Sequence, residues 1–149
     1  MAAGAFTIYN KAKKKIGNAT INLGTGNFRW TLHTSASNAA TATLSIYNSV
    51  TGELTEANGY SSSGKVFANR IWTVGTTAGQ YKLNATAVFW SANGGTISNI
   101  KFLVASLSAA ASSGRHLLCR SQLSTAQFNL ASGNRLTITP NASGIFTMA

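Results

Sequence analysis

Aspartate is absent from the 149 residues, and the only carboxylate side chains are Glu53 and Glu56. That scarcity removes the usual material for paired acid–base work, for calcium loops and for the group that orients a catalytic histidine. Cys119 is the single cysteine, so an internal disulfide is excluded. Set between Leu118 and Arg120 in an apolar stretch, it reads as a small buried hydrophobe, with a cross-chain disulfide as the lesser alternative. No run of about 18 apolar residues offers a membrane-spanning helix. The opening, Met1 to Phe6, lacks a basic region followed by an apolar one and a cleavage site, which sets the expectation of a soluble chain made in a cytoplasm.

Twelve Lys and Arg give a formal net charge of +10 and a pI near 10.4, so the imbalance comes from missing acids rather than from accumulated bases. A nucleic-acid reader concentrates Lys and Arg along a helix or stripe. Here charged residues are only 9% and mostly scattered, which leaves a surface of Ser, Thr, Asn and Gly and favours a coat or packing component over an enzyme. A hydrophobic content of 44% suits one core, hence one domain over residues 1–149.

Phe6, Tyr9, Ala12 and Ile16 recur three or four residues apart, predicting an N-terminal helix over residues 5–16 that stops at Gly17. Lys13, Lys14 and Lys15 in its last turn complement the helix dipole; the sharper alternative, with Lys11, is contact with an acidic partner or with phosphates. Leu44, Tyr47, Val50 and Leu54 predict a second helix from Thr43 to Leu54, capped by Thr41 or Thr43. The remainder reads as strands. Phe28, Trp30 and Leu32 alternate with Arg29, Thr31 and His33, an inward face against a polar one, and Tyr81, Leu83 and Ala85 repeat the period. From Ile100 to Leu107 both faces are apolar, as in a strand covered on both sides. His116 to Gln122 follows as the hairpin partner across Ala109 to Gly114, and Gln127 to Leu130, Arg135 to Thr139 and Ile145 to Met148 close the chain. About eight strands predict a mainly β fold, an antiparallel β-sandwich of jelly-roll or immunoglobulin-like form with one or two short helices.

No chemical site is legible in this pattern. His33 and His116 fall in alternating strands and read as exposed strand residues with no aspartate to partner them, and no ligand spacing suggests a metal. Gly24-Thr25-Gly26 and Gly94-Gly95 lack the Lys-Ser or Lys-Thr of a phosphate loop. Neither catalysis nor a cofactor is expected. The aromatics Trp30, Trp72, Trp90, Phe89 and Tyr81 are mostly core, with a sugar platform as the rival; Phe89 and Trp90, adjacent on a strand, offer rings to opposite faces. The sequons at Asn18, Asn84 and Asn141 are incidental to the abundance of Asn and Thr.

Phe6 to Ile16, with its aromatic-Tyr-Asn-x-Ala-Lys-Lys order, the Gly-Asn-x-Thr-Ile-x-Leu segment from Gly17 to Leu23, Leu-Ser-Ile-Tyr from Leu44, Ala57 to Lys65, Ala-Val-Phe-Trp from Ala87 and the closing Asn141 to Thr147 together resemble a group of small virion-associated proteins of tailed bacteriophages. The likeness runs nearly end to end. Where that group often carries Asp, in the segments matching Asn22 to Thr25 and Asn84 to Thr86, this chain is uncharged, so no acid-based site carries over. The resemblance implies a capsid decoration or cement subunit, located in the virion and bound to the major capsid protein or other virion subunits. A tail, collar or fibre-base component is the close alternative, and a basic nucleic-acid-binding protein the second. A homo-oligomer is expected, a trimer ahead of a dimer, with no membrane partner. The candidate contact residues are Lys11, Lys13, Lys14, Lys15, Phe89, Trp90, Ile145, Phe146 and Met148.

Overall fold

Phe102–Leu107 has apolar side chains on both faces, and in the computed structural model it becomes a central strand with a neighbour on each side. The structure describes residues 4–62, 64–109 and 114–149. In chain order the strands are β1 (Phe6–Ile8), β2 (Phe28–His33), β3 (Lys65–Val66), β4 (Ile71–Val74), β5 (Tyr81–Asn84) and β6 (Val88–Ser91). They continue with β7 (Ile97–Ile100), β8 (Phe102–Leu107), β9 (Leu117–Gln122), β10 (Phe128–Leu130), β11 (Arg135–Ile138) and β12 (Phe146–Met148); one α-helix, α1 (Asn10–Gly17), follows β1. The fold is mainly β, and among the described residues every strand pairing is antiparallel, as short alternating strands separated by turn residues favour.

The pairings are nested. β8 pairs with β9, β7 with β10, β6 with β11 and β5 with β12, so each pair outward adds one strand at either end of a single folded ribbon. Such connectivity is that of a jelly roll, here with its pairs divided among four sheets rather than merged into two. Around the inner hairpin a five-stranded sheet runs β1-β9-β8-β2-β3, while β12-β5-β4 forms a three-stranded sheet.

The sheets enclose one hydrophobic cluster that includes Trp30, Leu83, Phe102, Val104 and Ile138. Trp30 stacks on Phe67 with ring centroids 4.0 Å apart, and Phe6 reaches Trp30 at 5.5 Å. Since β1 and β2 are separated by two strands, roughly 14 Å along a flat sheet, the sheet must curl to bring these rings together. Phe6 and Tyr9 thus anchor the N-terminus, as their apolar character suggests, although not on one helix.

Both helix expectations need correction. Residues 6–8 are a strand held against β9 in the register Phe6↔Ser121, Thr7↔Arg120 and Ile8↔Cys119, and the helix begins only at Asn10. Over Thr43 to Leu54 only Tyr47–Ser49 turns, as a 3-10 helix. Backbone groups that a helix would satisfy internally go elsewhere: Tyr47 N–H donates to Arg115 O at 2.8 Å, Leu117 N–H to Ser45 O at 3.0 Å, and Leu54 N–H to Leu32 O at 3.0 Å. Leu44, Tyr47, Val50 and Leu54 still face inward. That segment also overturns the exposed reading of His33, because it lies against the polar face of β2 and leaves Thr31 and His33 fully buried. The expected strand from Ile100 to Leu107 starts at Phe102, Ile100 ending β7, and the middle of the Ala109 to Gly114 connection lies outside the described residues.

Candidate interaction groove

Two sheet edges face each other. β1 is an outer strand of the five-stranded sheet and β12 an outer strand of the three-stranded one, and between them runs a groove of about 750 Å³. Residues from Gly4 to Ile8 form one wall, Ser143 to Ala149 the other, with Asn141 and Lys13 at its margin. α1 supplies Lys13 because Ala12 is the residue it buries, leaving Lys11, Lys13 and Lys14 exposed. The turn before β12 depends on Gly144, whose φ is +96°; a Cβ there would lie 2.7 Å from Leu83 O.

The sequence-derived contact residues divide between this groove and other places. Lys13, Ile145, Phe146 and Met148, far apart in the chain, all line the groove. The closing strand is nevertheless not free to reach away, since Phe146, Thr147 and Met148 pair with Leu83, Lys82 and Tyr81 of the same chain, and the Ile145 and Phe146 side chains are buried. Lys15 turns aside, its Nζ 2.7 Å from His116 Nδ1; burial and the Lys15 charge lower the His116 pKa. Trp90 points into the core, so the contact expected of it is withdrawn, while Phe89 on the opposite face is 45% exposed beneath the Arg135 guanidinium at 3.6 Å. Phe89 and Val66 line a separate depression of about 170 Å³. Sequence reasoning missed Gly4, Thr7 and Ile8; the β-branched pair Thr7-Ile8 was the available signal for a strand.

Elsewhere the polar groups serve the interior. His33 Nε2 lies 3.1 Å from Thr31 Oγ1 and Nδ1 is 3.3 Å from Thr51 O; burial above all drives its pKa down to about 4, with the Arg115 charge adding to the fall and the Thr51 contact opposing it. Tyr60 donates to Glu53 Oε1 at 2.8 Å, and burial raises its pKa. Cys119 is buried and unbridged, its thiol pKa raised by burial. Among the described residues no three His, Cys, Asp or Glu side chains gather as metal ligands, and no helix is long and apolar enough to cross a membrane. Comparison with protein-family models, curated proteins and solved structures finds no match to this chain.

Proposed function

We propose that the chain is a structural subunit of a tailed-bacteriophage virion, a decoration or cement protein that binds and stabilises the head shell. The observation that carries this reading is the groove, two outer strand edges facing each other beside an exposed basic helix face. Outer strand edges are sites where another chain can add. A subunit repeated over a shell gains avidity from many such contacts, each weak alone, and its net charge of +10 suits an acidic surface. The nested ribbon adds a fold-level analogy, since jelly rolls serve in viral capsids, and in lectins and cupins too. A trimer on local threefold axes, its copies joined through faces other than the groove, is the oligomer this reading carries.

Electron microscopy of particles with and without this protein tests the proposal. Density spread over the shell, with purified protein saturating bare shells, is the expected result. Density confined to the tail would assign it to the tail or collar instead. Tight, steeply salt-dependent binding to duplex DNA without shell binding would move it to the nucleic-acid class.

A further inference from the structure

We propose that the groove between β1 and β12 takes an extended acidic segment of a partner protein, added as a strand to the outer edge of β1. This names the partner chemistry of the structural reading above and rests on it.

The ladder on the inner side of β1 fixes which groups are left over. Tyr9 N–H donates to Leu118 O at 3.1 Å, and with Thr7 opposite Arg120 the alternation of an antiparallel pair turns the main chain of Thr7 toward β9 and that of Phe6 and Ile8 toward the groove. β12 differs: the Leu83 carbonyl faces it and accepts from Ile145 N–H at 2.7 Å, so Phe146 and Met148, opposite Leu83 and Tyr81, turn their main chain toward β5 and leave the groove an apolar wall rather than a second ladder. No charge, proline or bulge interrupts Phe6–Ile8, the devices that usually blunt an edge. A strand bonded to both walls needs them about 9.5 Å apart, whereas Cα atoms of β1 and β12 come within 8 Å. A strand paired with β1 lies about 4.8 Å beyond it, so the added segment extends the β1 sheet past this close approach, with β12 beside it as a wall. A volume of about 750 Å³ lies within the range of ligand-binding clefts.

Charge selects the occupant. Lys13 stands at the margin, and Arg120, opposite Thr7 and on its face, has a buried Nε with no hydrogen-bond partner. Lys82, opposite Thr147 of β12, donates its ammonium to Ala142 O at 3.2 Å. A second copy would bring another +10. Its two carboxylate side chains, Glu53 and Glu56, accept from Tyr60 and from the Ser62 hydroxyl, both at 2.8 Å, and two cannot supply an alternating acidic strand. A nucleic-acid strand would meet the lysines but leave the main-chain groups of β1 and the apolar wall unmatched. An extended peptide with alternating acids answers all three.

The test uses the purified chain and three fluorescein-labelled octapeptides: one alternating valine and glutamate, its valine–lysine counterpart, and the valine–glutamate peptide N-methylated at alternate residues to remove its ladder donors. Fluorescence anisotropy should show saturable, salt-sensitive binding of the first only, with the others at least about tenfold weaker. Lys13→Gln should weaken it about threefold. Ile8→Pro, which deletes a groove-facing N–H and spares the Thr7 ladder, should abolish it; if circular dichroism shows that variant unfolded, the N-methylated peptide carries the same question. Equal binding of all three peptides, binding of none, or tighter binding of a duplex oligonucleotide overturns the proposal. Bare shells titrated in parallel separate the two readings. Shells that saturate without competition from the acidic peptide sink this inference alone, whereas peptide binding without shell binding sinks the virion reading and leaves the groove's chemistry standing.

Discussion

Strands β8 and β1 belong to the same sheet and differ in almost everything that gives a strand its stability. β8 is six residues long with a hydrogen-bonded neighbour on each side, and Phe102 to Ser106 are all buried. β1 is three residues long with one neighbour, and its side chains alternate between half-buried and exposed. The first is closed on every side; the second has an edge to offer. One sheet can therefore hold both a closed centre and an open edge, provided the centre carries the folding energy.

Hollowing out the centre should have the largest effect. Phe102→Ala should cost about 3–5 kcal/mol in urea denaturation, the range for removing a buried aromatic ring. A loss below about 1 kcal/mol would mean that β8 is not the closed strand described.

Acid probes the polar face of β2. His33 has a pKa of about 4 when folded against 6.5 as its ordinary value, so the unfolded chain binds the extra proton. The contribution is fully present above pH 6.5 and is lost as pH falls toward 4, up to about 3 kcal/mol. His116, whose pKa is also lowered by burial and by the Lys15 charge, adds a slope of the same sign. Denaturation measured across that window should show the slope, and a His33→Gln variant that keeps the full slope would refute the assignment.

Gly144→Ala tests the other groove wall. Because of its positive φ and the close Leu83 carbonyl, it should cost about 1–3 kcal/mol and loosen β12 in hydrogen exchange while β8 keeps its protection. Equal loss of protection in both strands would mean that edge and centre unfold as one unit.

The same contrast explains what the sequence disclosed. β8 was legible because apolar residues on both faces admit few placements, and the hairpin to β9 followed from adjacency. Phe28, Trp30 and Leu32 gave one face of β2 correctly, but the cover over Thr31 and His33 comes from a segment some twenty residues on, and no local pattern encodes it. Leu44, Tyr47, Val50 and Leu54 have helical spacing, yet their backbone is claimed by β2 and β9, a tertiary demand that overrides periodicity. Tyr9 and Ala12 are likewise spaced for a helix with Phe6, until pairing with β9 turns Phe6–Ile8 into a strand. In the groove the sequence supplied Lys13 and the closing residues separately. Their meeting follows from the nested pairing of strands far apart in the chain, which composition and alternation do not specify.

The smallest expected effect on stability bears most directly on attachment. Changing Lys13, Lys14 and Lys15 together to Gln removes two exposed cations and the Lys15–His116 contact, all on α1. Thermal stability should move by no more than about 0.5–1 kcal/mol, since exposed charges at a helix end contribute a few tenths each. Attachment to bare shells should weaken at low salt, and the gap between variant and parent should narrow as added salt screens the parent's charges. The His116 pKa, held down by burial and then by the Lys15 charge, should rise toward its ordinary value in the variant and can be followed by proton NMR. A variant that attaches as well as its parent at low salt, while His116 titrates higher, would show that the substitution worked locally and that the lysines only complete the helix end. Attachment lost together with protection in β8 would instead mean that the edge is not separable from the centre.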